Sequence, residues 1–100
     1  MTHITIESTK ITISGHSGYD VYGKDIVCAA ISTLSESTYR YLKATGNRVR
    51  SKAKDGYFEI DLKSITKVGK QIISEFVIMI NELIEEYGKY IEMEIKKWKN

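Results

Sequence analysis

The chain has 100 residues, 42% hydrophobic and 28% charged, with seven glycines, no proline, one cysteine and a formal net charge of +2, the profile of an ordinary globular domain. Charges of both signs are interleaved apart from a basic run at residues 48–54 and a basic end at 96–99, so the balance does not mark a DNA-binding protein. No apolar run reaches the roughly 20 residues that span a bilayer, the amino-terminal MTHITIES lacks the pattern of a secretory signal, and a lone cysteine excludes an internal disulfide, which together predict one cytoplasmic domain over residues 1–100. A domain of this size buries roughly two thirds of the surface its unfolded chain exposes, leaving little core to spare, so self-association is expected.

Residues 3–6 and 10–14 alternate with Ile4, Ile6, Ile11 and Ile13 as the apolar members and Ser8-Thr9 between them, the pattern of a β-hairpin. Gly15 and Gly18 break the second strand, and a polar loop runs to Gly23. Asp25 is placed to cap a helix whose apolar stripe is Val27, Ala30, Ile31, Leu34, Thr38, Tyr41 and Leu42, ending near Ala44 before Thr45-Gly46-Asn47. In the next strand Val49, Ser51 and Ala53 alternate with Arg48, Arg50, Lys52 and Lys54, and Asp55-Gly56 turns it into a partner strand carrying Phe58, Ile60 and Leu62 on one face.

Ser64 is the expected cap of a second helix with apolar positions Val68, Ile72, Ile73, Phe76, Val77, Ile80, Leu83, Ile84 and Tyr87. That stripe is wide enough to meet the sheet on one side and the first helix, or another subunit, on the other. After Gly88, Ile91, Met93 and Ile95 alternate with Glu92, Glu94 and Lys96, predicting a last strand. The order β-β-α-β-β-α-β predicts an α+β two-layer sandwich, a mainly antiparallel sheet with two helices packed on it.

On this layout His16 leaves the end of the second strand and Cys28 sits in the first turn of the first helix, joined by a loop that must double back. A thiol at a helix start lies beside unpaired N–H groups and the positive end of the macrodipole, which favour the thiolate, and a protonated imidazole nearby acts in the same direction. The same amides can receive the oxyanion formed when a thiolate attacks a carbonyl, and histidine can protonate the departing amine. The alternative is that Cys28 is a small buried hydrophobe and His16 a polar strand-end residue. Two histidines and one cysteine without paired spacing do not form a tetrahedral zinc set, and no metal or other cofactor is expected.

Gly15-His16-Ser17 followed by Tyr22-Gly23-Lys24-Asp25-Ile26-Val27-Cys28-Ala29-Ala30-Ile31-Ser32 resembles the signature of the ribosomal-processing cysteine protease family, Prp, also called YsxB-like, and the order of elements is similar over the whole chain. The resemblance implies a small cytoplasmic endopeptidase, usually a homodimer, that removes the amino-terminal extension of a bacterial large-subunit ribosomal protein of the 27-numbered type. It implies Cys28 as nucleophile, His16 as its acid/base partner, Asp25 as the family's acidic residue before the cysteine and Ser32 as its serine one turn after it. Ser17 stands where the family often has alanine. The family's corresponding loop is mobile and opens for substrate, which makes Gly18, Tyr19, Tyr22 and Gly23 the substrate-loop residues. A phage-type homologue acting on capsid or scaffold proteins would carry the same features.

Read from the residues alone, Asp25 can orient His16, cap the helix, or do both. Ser32 can hold the thiolate or bond back to a helix carbonyl. The glycines supply turns and let the loop admit an extended peptide, Tyr19 and Tyr22 can line an aromatic subsite or stand as exposed loop tyrosines, and His3 reads as an ordinary strand residue. The basic face of Arg48, Arg50, Lys52 and Lys54 is a solvated surface or, in the non-enzymatic alternative, the contact of a ribosome- or RNA-associated module, without the aromatic residues that base stacking uses.

Overall fold

The computed structural model describes residues 1–97; Lys99, in the basic end of the sequence, lies outside them. Seven elements follow in the predicted order: β1 (Thr2–Ile6), β2 (Lys10–Ser14), α1 (Ile26–Ala44), β3 (Arg48–Lys54), β4 (Tyr57–Ser64), α2 (Lys67–Tyr87) and β5 (Ile91–Ile95). The strands form one sheet in the order β3-β4-β2-β1-β5. Its pairings are antiparallel except for β5, which lies parallel to β1 with Ile91 beside Thr2 and Ile95 beside Ile6.

Register carries the apolar alternation across the sheet. Ile4, Ile13 and Phe58 lie in one row and Ile6, Ile11 and Ile60 in the next, so these side chains share one face. Val27, Ile31 and Leu42 of α1 and Ile73, Phe76 and Ile80 of α2 cover that face, and all six are buried. Burying each such side chain favours folding by about 1.5–3 kcal/mol relative to leaving it in water. The two helices also pack on each other, α1 toward β3 and α2 toward β5, the double contact that the wide stripe of α2 implied. The opposite sheet face is polar: Lys52, Glu59, Thr12, Thr5 and Glu94 occupy one row.

Three details differ from the expectation. Tyr41 and Val68, placed in the apolar stripes, are exposed. Ser64 is the last residue of β4, and the cap of α2 is Thr66, whose hydroxyl accepts from the Gly69 N–H at 3.0 Å. Thr66 wins the role because buried Asn47 holds it: Asn47 Oδ1 accepts from the Thr66 N–H at 2.7 Å and from its hydroxyl at 3.0 Å, while Asn47 Nδ2 donates to the Leu42 carbonyl at 3.0 Å. One amide thus ties the end of α1 to the start of α2.

Candidate active site

At the end of β2 the chain turns through Gly15, whose φ of 87° is open to glycine at little cost, and a Cβ there would stand 2.6 Å from the Met1 carbonyl oxygen. The next residue is His16. The chain then folds back at once: Ser17 is buried at 2% exposure, and its backbone N–H donates to Cys28 Sγ at 3.3 Å. The peptide that follows His16 therefore lies on the sulfur, and His16 and Cys28 line a single cleft of about 710 Å³.

Cys28 is the third residue of α1, and Asp25 is its N-cap, accepting from the Cys28 N–H at 2.9 Å. The other oxygen of Asp25 accepts from the Ser17 hydroxyl at 2.5 Å and from the N–H groups of Tyr19 at 3.1 Å and Asp20 at 3.4 Å. Burial pushes the Asp25 carboxyl up, but the hydrogen bonds from Ser17, Cys28 and Asp20 together outweigh it and hold the group at about 2. One carboxylate thus caps the helix and fastens the loop. Of the two roles open to Asp25, the geometry displays the helix cap: its oxygens face Ser17, the loop amides and the helix start. The carboxylate that faces the imidazole belongs to Asp55, with Oδ1 3.8 Å from His16 Nε2.

Ser32 lines the same cleft one helical turn after Cys28. The back-bonding that its position allowed is seen instead at Ser35, which donates to the Ile31 carbonyl at 2.7 Å, and at Thr38, which donates to Leu34 at 2.8 Å. Gly18, Tyr22 and Gly23 border the cleft, and Tyr22 is 92% exposed at the loop tip. Tyr19 does not share that position. Its ring sits edge-on to Tyr87 and Tyr90, with centroids 5.5 and 5.3 Å away, and anchors the loop to the end of α2 and the turn into β5.

The far wall of the cleft includes Ile13, Ala53, Tyr57 and Phe58. The Tyr57 hydroxyl donates to Glu59 Oε1 at 2.5 Å, and that bond, with burial and the Glu59 charge, raises the phenol above its ordinary value and keeps it neutral. Among the described residues no three His, Cys, Asp or Glu side chains gather as a metal-ligand set, and no helix is long and apolar enough to cross a membrane.

Reading by residue type missed two participants. Ser17, noted only as standing where the family often has alanine, supplies both the amide on the sulfur and the hydroxyl on Asp25. Asp55 looked like a turn residue only; its place beside His16 depends on docking of the hairpin tip, for which spacing along the chain holds no signal.

The arrangement can support nucleophilic catalysis: a thiol at a helix start, an imidazole in the same cleft, and an apolar wall able to receive a peptide. Comparison with known proteins points the same way. The family model described as cysteine protease Prp matches residues 1–92. A ribosomal processing cysteine protease Prp from Mycoplasma pneumoniae is 26% identical over 94 residues, 94% of each chain. The crystal structure of an essential ribosomal processing protease Prp from S. aureus with a covalently linked product peptide superposes with a TM-score of 0.82 at 23% identity, covering 95% of this chain and 97% of that one. The same S. aureus protease with a substrate peptide gives 0.75 at 23% identity over the same shares.

Proposed function

Because the chain belongs to the Prp family of cysteine proteases, we propose that Cys28 and His16 form its catalytic dyad and that it removes the amino-terminal extension of a bacterial large-subunit ribosomal protein, acting in the cytoplasm as a homodimer. The observation that carries this reading is the 3.3 Å bond from the Ser17 amide to the Cys28 sulfur. It brings the residue next to His16 onto the thiol, within a cleft that both side chains line.

The chemistry follows from those positions. The Cys28 thiol gives its proton to the His16 imidazole, and the thiolate is favoured by the helix start and by the Ser17 N–H. Sulfur attacks the scissile carbonyl carbon; the carbonyl π pair moves onto oxygen, and the tetrahedral intermediate collapses as the C–N bond breaks and imidazolium protonates the leaving amine. Water, deprotonated by His16, then attacks the thioester and releases the carboxyl product and the thiol. The first-turn amides beyond the reach of any helix carbonyl are those of Ile26, Val27 and Cys28. Asp25 already occupies the Cys28 amide, so the Ile26 and Val27 amides are the helix-start donors left for the developing oxyanion.

Support for the ribosomal substrate comes from the relatives, whose names describe ribosomal processing. The RNA-binding alternative loses ground because Asp61 stands opposite Arg50 and Glu59 opposite Lys52 on the same sheet face, which breaks up the basic surface. Incubating the protein with the extended precursor of the ribosomal protein from its own host, and reading product ends by mass spectrometry, tests the assignment: one cut at the end of the extension is expected, and an intact precursor overturns it.

A further inference from the structure

We propose that Asp55, at the tip of the β3–β4 hairpin, is a positioning residue for His16: it faces the imidazole across the cleft rim and stabilises the cation that forms when the ring takes the Cys28 proton. The inference rests on the proposed role of His16 and extends it to a third side chain.

Three observations converge on the ring. His16 Nε2 lies 3.8 Å from Asp55 Oδ1. The Gly15 N–H donates to the Gly56 carbonyl at 2.8 Å, which fixes the hairpin tip to the residue before His16. Gly56 has a φ of 69°, and a Cβ there would stand 3.1 Å from His16 Nε2, closer than a side chain usually packs. The tip is thus docked against the Nε2 side of the imidazole, with the Asp55 carboxylate toward the same nitrogen. At 3.8 Å the contact is an ion-pair approach and not a hydrogen bond, so the carboxylate acts on the ring by charge, and Nδ1 is the nitrogen turned away from it.

Asp55 accepts no proton in this scheme. It acts by charge, and being exposed it is screened by water, so its effect is small. The other titratable groups lining the cleft are Lys54 and Tyr57 from the hairpin, Cys28 and Glu36 from α1, Asp25 at its N-cap, and Asp20 and Tyr22 from the loop. Asp25 is engaged by Ser17 and the loop amides, and Tyr57 is neutral, bonded to Glu59, so neither duplicates the Asp55 contact.

The test uses iodoacetamide alkylation of Cys28 against pH, together with kcat and KM for the precursor. Asp55→Asn keeps the size and turn chemistry of the residue and removes only its charge. We expect it to slow alkylation near neutral pH about two- to fivefold, the range exposed ion pairs give, and to lower kcat by a similar factor with KM unchanged. The alkylation difference should vanish at alkaline pH, where a thiol ionises without help from a neighbouring cation, and Asp55→Glu should restore most of the rate. A merely structural role would not produce a defect confined to neutral pH. Alkylation and kcat equal to wild type in Asp55→Asn, while His16→Ala is inactive, overturn this inference and leave the dyad standing. Full activity of His16→Ala removes the dyad and the inference with it.

Discussion

The backbone N–H of Ser17 meets the sulfur of Cys28 at 3.3 Å, although eleven residues separate them in the chain. This contact depends on the side chain of the same residue: the Ser17 hydroxyl, bonded to Asp25, holds the peptide where its N–H points at sulfur. Ser17→Ala keeps the amide and removes the anchor. A hydrogen bond to a charged group at a partly solvated site is worth about 1–2 kcal/mol, so denaturant unfolding should show a loss of that size, and alkylation of Cys28 near neutral pH should slow.

Asp25 carries more of the local structure, because it caps α1 as well as fastening the loop. Asp25→Ala should cost about 1–2 kcal/mol, the usual range for an N-cap carboxylate, and release the loop to limited proteolysis. The pH dependence has a definite sign. The carboxyl sits at about 2 in the folded protein against an ordinary 3.8, so its charge contributes fully above 3.8 and the contribution is lost as pH falls through about 2. The stability gap between wild type and Asp25→Ala should be constant from neutral pH down to about 4 and shrink below it; a gap unchanged at pH 2 would contradict the account.

Tyr19 holds the other side of the loop. Edge-to-face ring pairs each contribute about 0.5–1.5 kcal/mol, and Tyr19 makes two, to Tyr87 and Tyr90. Tyr19→Ala should speed proteolytic nicking of residues 17–24 severalfold with little change in global unfolding, whereas Tyr19→Phe, which keeps the ring, should behave as wild type.

How far these features could be read in the sequence depended on the range of the interaction. Alternating isoleucines in β1 and β2, the Asp55-Gly56 turn and the Asp25 cap are local patterns, and the elements fell where those patterns put them. The parallel pairing of β5 with β1 was not legible, since alternation marks a strand without naming its neighbour. The cap of α2 moved from Ser64 to Thr66 because Asn47, nineteen residues earlier, bonds Thr66. At the site, a thiol in the first turn of a helix was visible, and so was a histidine at a strand end. What was hidden were contacts made by folding back: Ser17 under Asp25, Tyr19 on the end of α2, and Asp55 beside His16.

The Asn47 brace gives a prediction remote from the cleft. Asn47→Ala leaves the Thr66 N–H without its acceptor, while the Leu42 carbonyl keeps the backbone N–H of residue 47 and the Thr45 hydroxyl; a buried orphan costs about 1–3 kcal/mol. A destabilisation of about 1–3 kcal/mol is expected in urea, with kcat unchanged at temperatures where the variant stays folded. Gly69→Ala should weaken the same brace, because its Cβ would stand 2.2 Å from Asn47 Oδ1, and the double variant should be less destabilised than the two losses added.

The most direct test of Cys28 as nucleophile is rapid-quench intact-mass analysis of the protein during turnover of its precursor. A thioester adds the mass of the amino-terminal fragment less one water, and fragmentation should map that addition to Cys28; Cys28→Ala should show neither adduct nor cleavage while keeping its fold. Cleavage by folded Cys28→Ala, or an acyl group mapped to another side chain, would contradict the mechanism.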